Sequence, residues 1–215
     1  MRVAIVNDTR LIAEALRRHV MQEHEVIWVA SSGMQALQFC ADNRPDLILM
    51  DLVMPEMDGV ETTRLIMQSA PCAILIVTAS PEQRTGQIFR ALGAGALDVT
   101  ATPVIGGNTG STTGNAADSC QLLKKIKTIG RLISAPPARP HTPTPALPSA
   151  MQGGYGRTQA KVLVAIGAST GGPVALAKLL SMWTPPADCA LVLVQHIDSA
   201  FTDSFAQWLS AQISF

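Results

Sequence analysis

The chain has 215 residues, with sixteen Lys+Arg against sixteen Asp+Glu and a formal net charge of zero. Hydrophobic residues make up 47% and charged residues 15%, which excludes a wholly disordered chain and a strongly basic nucleic-acid binder. Four cysteines in this length also exclude a disulfide-stapled scaffold, and the length allows one large domain or two small ones.

Charge is unevenly spread: residues 1–100 hold eight Lys/Arg against twelve Asp/Glu, and residues 101–215 hold eight against four. The first apolar run, Val3–Val6, meets Asn7 and Asp8 after four residues, too short for a signal-peptide core. No stretch approaches the ~18 apolar residues of a membrane span. The expectation is a cytoplasmic protein with no membrane insertion. Its scattered Cys40, Cys72, Cys120 and Cys189 then read as reduced thiols.

The apolar runs Val3–Val6, Val26–Val29, Leu47–Met50, Ala73–Val77 and a weaker Ala96–Val99 read as strands. They are continuous rather than alternating, as strands buried on both faces of a parallel sheet must be. Helical spacing relates Leu11, Ile12, Ala15, Leu16 and Val20, and again Val60, Leu65 and Ile66. This alternation predicts a doubly wound α/β domain over residues 1–133. Residues 106–115 read as a polar loop, and Ala116–Ile133 as a helix whose Lys124, Lys125, Lys127 and Arg131 form a solvated face.

Residues 134–159 read as a linker. Pro136, Pro137, Pro140, Pro143, Pro145 and Pro148 fall within thirteen positions, so the stretch favours an extended spacer. Residues 160–215 then start a second α/β pattern: strand Val162–Ile166, helix Pro173–Leu180, strand Ala190–Val194, helix Phe201–Leu209. Two parallel strands cannot cover both faces and both edges. The expectation is that this is the first βαβα portion of a larger domain.

In a doubly wound sheet, ligands bind at the carboxyl ends of the strands. Asn7 and Asp8 follow the first run, Asp51 the third and Thr78 the fourth. Carboxylates meeting there make a hard-oxygen site suited to Mg²⁺, and a carboxylate can also accept a phosphoryl group, with the metal neutralising the developing charge. The motifs Val6-Asn7-Asp8, Met50-Asp51, Met54-Pro55-Glu56-Met57-Asp58-Gly59, Thr78-Ala79 and Gly93-Ala94-Gly95-Ala96-Leu97-Asp98 together resemble the flavodoxin-like receiver domain of two-component response regulators. The resemblance implies Asp51 as phospho-acceptor and Asp8, Asp51 and the Val53 carbonyl as Mg²⁺ ligands. It also implies Thr78 as the switch hydroxyl and a histidine kinase as partner. Two positions depart from the family pattern: Asn7 stands where an acidic residue is usual, and Thr102 where a lysine usually precedes Pro103. The missing ammonium would otherwise pair with the phosphoryl group.

The run Gly167-Ala168-Ser169-Thr170-Gly171 fits G-x-S-x-G between a strand and a helix. Such a turn exposes the Ser169 hydroxyl at a helix N-terminus and aims the Thr170 N–H where an oxyanion would form. His196, past the next strand, would reach the same sheet edge and act as base. A dinucleotide fingerprint fails because Ser169 takes the third position, and a Walker A loop fails because Pro173 takes the lysine place. Nothing after the linker resembles helix-turn-helix, so no nucleic-acid partner is expected.

With the receiver-like part and the linker, Ala165–Pro173 and Gln195-His196 resemble chemotaxis-type protein-glutamate methylesterases. Asn7 and Thr102-Pro103 resemble the Wsp-type, surface-sensing branch. The family resemblance implies hydrolysis of glutamyl γ-methyl esters and deamidation of glutamines on methyl-accepting chemoreceptors. It further implies that the receiver covers the active site until phosphorylation relieves the block. The family completes its Ser-His-Asp triad with an aspartate in a Gly- and Met-rich segment that these residues lack; Asp198 and Asp203 do not match it. The expectation is a chain whose catalytic domain is completed past Phe215 and which by itself has little esterase activity. The alternative is a phosphorylatable receiver that acts as a binding module.

Overall fold

The computed structural model describes residues 1–79, 82–103, 114–134, 161–186, 188–197 and 201–213. The predicted linker, apart from Ser134, lies outside these residues. So does most of the 106–115 loop.

Five strands form one parallel sheet: β1 (Arg2–Val6), β2 (Glu25–Ala30), β3 (Leu47–Met50), β4 (Ala73–Thr78) and β5 (Asp98–Ala101), in the order β2-β1-β3-β4-β5. The helices α1 (Arg10–Val20), α2 (Gly33–Asp42), α3 (Gly59–Ser69), α4 (Thr85–Gly93) and α5 (Gly114–Ser134) follow the strands in turn. Alternate strand residues feed two cores. Val3, Ile5, Leu47, Leu49, Leu75 and Val77 pack with Leu16 of α1 and Leu122, Ile126 and Ile129 of α5. Val6, Ile48, Met50, Ile74 and Ile76 pack with residues of α2, α3 and α4. Burial on both faces is why these runs are apolar without alternation.

β5 begins two residues later than the apolar run predicts. The chain first leaves α4 through a Schellman turn: Ala96 N–H donates to the Ala91 carbonyl and Gly95 N–H to that of Leu92. Gly95 takes φ +117°, and a Cβ there would lie 2.8 Å from Cγ of Met67. Only after this turn does Asp98 enter the ladder opposite Leu75.

The second unit holds β6 (Val162–Ala168), α6 (Gly172–Ser181), β7 (Cys189–Gln195) and α7 (Thr202–Ser210). β6 and β7 pair in parallel as a two-stranded sheet. Ile166, Ala168, Leu191 and Leu193 turn inward against the core, whereas Leu163, Val192 and Val194 lie exposed on the outer face. Helices α6 and α7 pack against α4, joining the two units in one apolar cluster through Phe89, Leu92, Leu176, Phe205 and Leu209. Phe89 stacks on Trp208 at 5.6 Å between centroids and meets Phe205 at 5.8 Å. Cys40, Cys72 and Cys189 are free thiols.

Candidate functional site

The parallel register brings the ends of β1 and β3 together, since Val6 lies opposite Met50. Asp51 N–H donates to the Val6 carbonyl, so the carboxyl side chain emerges beside Asn7 and Asp8. Asn7 is buried; its Oδ1 accepts the Thr9 N–H and its Nδ2 donates to Asp51 Oδ2 at 2.9 Å. The other Asp51 oxygen, Oδ1, accepts the Val53 N–H at 3.2 Å. Burial pushes the Asp51 carboxyl above its ordinary range, hydrogen bonds from the Val53 and Leu52 backbone oppose this, the nearby Asp8 carboxylate adds to it, and Arg84 lowers it. An amide at position 7 therefore donates to Asp51 where a carboxylate would repel it.

The close return of the chain around Asp51 depends on Gly59, where a Cβ would sit 2.0 Å from the Asp51 carbonyl oxygen. Asp58 caps α3 by accepting the Glu61 N–H at 2.8 Å. Thr78, the last residue of β4, is buried at the same sheet edge, and its carbonyl accepts the Thr102 N–H. The donors available to a metal are the Asp8 and Asp51 carboxylates and the Val53 carbonyl. Among the described residues no cluster of three or more His, Cys, Asp or Glu forms. Two hard carboxylates whose charges oppose one another fit Mg²⁺, which takes few protein ligands and completes its shell with water and phosphate.

The second candidate centre forms where β6 and β7 end together. Ala168 lies opposite Gln195, and His196 N–H donates to the Ala168 carbonyl at 2.8 Å. Ser169 Oγ and His196 Nδ1 are then 3.4 Å apart, a long contact of the kind that tightens around bound substrate. Gly171 adopts φ +77° as the N-cap of α6, with Pro173 in the first turn. Gln195 Nε2 donates to the Ser169 carbonyl at 2.9 Å. A Cβ on Gly172 would lie 2.1 Å from Gln195 Oε1, so only glycine admits this brace beneath the turn. Among the described residues no carboxylate is hydrogen-bonded to His196. Asp203 sits in the first turn of α7, and Asp198 lies outside the described residues.

The receiver part meets this turn directly. Gly171 N–H donates to the Leu97 carbonyl at 2.9 Å, and Thr170 Oγ1 donates to Asp98 Oδ2 at 3.0 Å. The other Asp98 oxygen accepts Lys125 Nζ at 2.8 Å and the Val99 N–H at 2.8 Å, while Lys125 also reaches the Val99 carbonyl at 2.6 Å. Lys125, expected on a solvated face, is thus committed to an ion pair. A cleft of about 280 Å³ remains between Phe89, Asp98 and Lys125 on one side and Ser169, His196 and Phe201 on the other. A wider cleft, about 1010 Å³, lies at the opposite edge of the sheet beside Arg2, Asp46 and Ala73, away from both centres.

Asp98 stands within a motif quoted above, but its reach to Thr170, seventy-two residues on, has no local signature. Gln195 stands in the Gln195-His196 motif, but its brace to the Ser169 carbonyl has no local signature apart from the glycine that makes room for it.

Residues 3–104 match the family model described as "Response regulator receiver domain" and residues 164–215 the one described as "CheB methylesterase". A "Protein-glutamate methylesterase/protein-glutamine glutaminase 1" of Pseudomonas fluorescens is 49% identical over 98% of this chain. A "Protein-glutamate methylesterase/protein-glutamine glutaminase 4" of Burkholderia thailandensis is 48% identical over 97%. The chain spans 60% and 58% of the length of these two relatives. The crystal structure of the response regulator domain of Thermotoga maritima CheB superposes with a TM-score of 0.52 at 28% identity, covering 60% of this chain and 95% of that one. With a match to a response-regulator receiver domain at its front and a match to a CheB methylesterase domain behind it, the chain is similar over nearly its whole length to proteins that join these two domains.

Proposed function

We propose that the chain is the receiver and nucleophile-bearing part of a protein-glutamate methylesterase/glutaminase whose activity is gated by phosphorylation. The domains are residues 1–133 for the receiver, 134–159 for the linker and 160–215 for the front of the catalytic unit. The observation that carries this reading is the placement of Ser169 Oγ and His196 Nδ1, 3.4 Å apart at adjacent strand ends beneath Leu97 and Asp98 of the receiver.

In this mechanism His196 takes the Ser169 proton as the oxygen attacks the γ-carbonyl of a methylated glutamyl side chain on a chemoreceptor. The Thr170 N–H, at the N-terminus of α6, stabilises the oxyanion. His196 then returns the proton to methanol as the ester C–O bond breaks, and water hydrolyses the acyl-enzyme. A glutamine side chain follows the same route with ammonia as leaving group. None of the described residues supplies the carboxylate that would orient the imidazole, so the 215 residues alone are expected to hydrolyse poorly.

The gate is Asp51. A carboxylate oxygen attacks the phosphorus of a phosphohistidine on a chemosensory kinase, forming an acyl phosphate as the P–N bond breaks. Asp8, Asp51 and the Val53 carbonyl would hold Mg²⁺, which neutralises charge on the phosphoryl oxygens when bound. Thr78 follows the phosphoryl group with its hydroxyl, and the shift passes along β5 to Leu97 and Asp98.

The test is labelling with radioactive acetyl phosphate. The protein is expected to take up label and Asp51→Asn none; undiminished labelling of that variant overturns the phospho-acceptor assignment. Because no carboxylate is hydrogen-bonded to His196 among the described residues, a second reading is kept, in which the receiver acts as a phosphorylatable binding module. Methanol release from methylated receptor, abolished by Ser169→Ala, would reject that second reading.

A further inference from the structure

Gln195 continues the inward-facing row of β7, two positions after Leu193 and four after Leu191, both of which pack against the core. A glutamine there places a polar amide against an apolar face at the end of the strand. It turns its Nε2 toward two backbone oxygens. One bond goes to the Ser169 carbonyl at 2.9 Å and the other to the His196 carbonyl at 3.2 Å. The amide has two N–H donors, one for each. The reverse orientation would set Oε1 against both carbonyls. As placed, Oε1 is buried beside Gly172 and has no hydrogen-bond partner among the described residues. An unpaired buried acceptor is a local cost of the kind met at functional sites.

The two carbonyls belong to the residues that carry the reacting groups. The β6–β7 register ends with Ala168 opposite Gln195, and His196 N–H donates to the Ala168 carbonyl. Beyond that rung Ser169 enters its turn, with its carbonyl accepting the Gly172 N–H at 2.7 Å. The Gln195 amide bonds the same carbonyl from the other strand, so it ties the turn to the histidine segment past the end of the ladder. Ser169 Oγ and His196 Nδ1 stand 3.4 Å apart, already longer than an ordinary hydrogen bond. A small drift between the two segments would part them.

We propose that Gln195 is a positioning residue of the serine centre, bridging the Ser169 and His196 carbonyls so that the hydroxyl stays within reach of the imidazole. The proposal rests on the reading of Ser169 as nucleophile and His196 as base.

The experiment measures the rate at which a fluorophosphonate labels Ser169 in the full chain, read by mass spectrometry at that residue. Ser169 Oγ bonds to phosphorus, fluoride leaves and His196 takes the proton. Gln195→Met fills the same space without donors. Gln195→Glu keeps the shape, loses the donors when ionised, and serves if the first variant does not fold. Both should label roughly tenfold to a hundredfold more slowly than wild type. In a His196→Ala background the same substitutions should cause no further loss, because the pairing they disturb is already gone. In NMR spectra, the His196 Nδ1 resonance of the Gln195 variants should move to the place it takes in Ser169→Ala. A wild-type labelling rate in a folded Gln195 variant overturns the proposal. So does an equal loss in the His196→Ala background, or an unmoved Nδ1 resonance, since either marks a brace that serves the fold alone. A wild type that takes no label at Ser169, or a His196→Ala that labels as fast, overturns the nucleophile and base reading instead.

Discussion

Asp51 carries a folding penalty. Its carboxyl is raised in the folded protein, chiefly by burial, above the ordinary 3.8. From that ordinary value up to the raised one, the folded state holds a proton that the unfolded chain has lost. Stability therefore falls as pH rises through the window, and the deficit persists above it. In metal-free buffer, Asp51→Asn should melt above wild type at pH 7, and the gap should close as pH drops below about 3.8. Scanning calorimetry across that range checks the sign. Mg²⁺ should raise the melting temperature of wild type by binding only the folded state, and Asp8→Asn should blunt that rise.

At the scale of elements, the contact between α4, β5 and the serine turn rests on two different supports. The aromatic support is the greater. Phe89 is buried against Phe205 and Trp208, and Phe89→Ala should cost about 3–5 kcal/mol in urea unfolding. The polar support is Asp98, which holds Thr170 and Lys125 together. Asp98→Ala should weaken the contact by about 1–3 kcal/mol, since it strands a half-buried ammonium as well as a hydroxyl. The readout is amide exchange at Gly171, whose N–H is tied to the Leu97 carbonyl; it should speed up while the Thr102 amide, bonded within the sheet, stays protected.

These supports also show where sequence reading stops. The strands of the receiver were legible because burial on both faces leaves long apolar runs, and Asp8, Asp51 and Thr78 followed from strand ends. Ser169 and His196 were legible for the same reason, since adjacent parallel strands deliver their ends to one edge. Lys125 was not: on a helix whose other cations are solvated, nothing local distinguishes the one that meets Asp98. The start of β5 was misplaced because Ala96 is apolar and buried, yet it is spent closing a helix turn rather than entering the sheet.

For the whole molecule, the two units share one apolar cluster, so the receiver and the serine turn should unfold together rather than in separate steps. Phosphorylation of Asp51 should act against that union, and faster exchange at Gly171 with acetyl phosphate and Mg²⁺ would register it. The outer side of the β6–β7 pair has a different consequence. Leu163, Val192 and Val194 stand in water, 67%, 46% and 63% exposed, on a sheet of only two strands. Such a surface is adhesive. A solution of these 215 residues should therefore be colloidally fragile, scattering more light as it is concentrated. A charge placed at Val194, as in Val194→Lys, should clear the haze without disturbing the receiver.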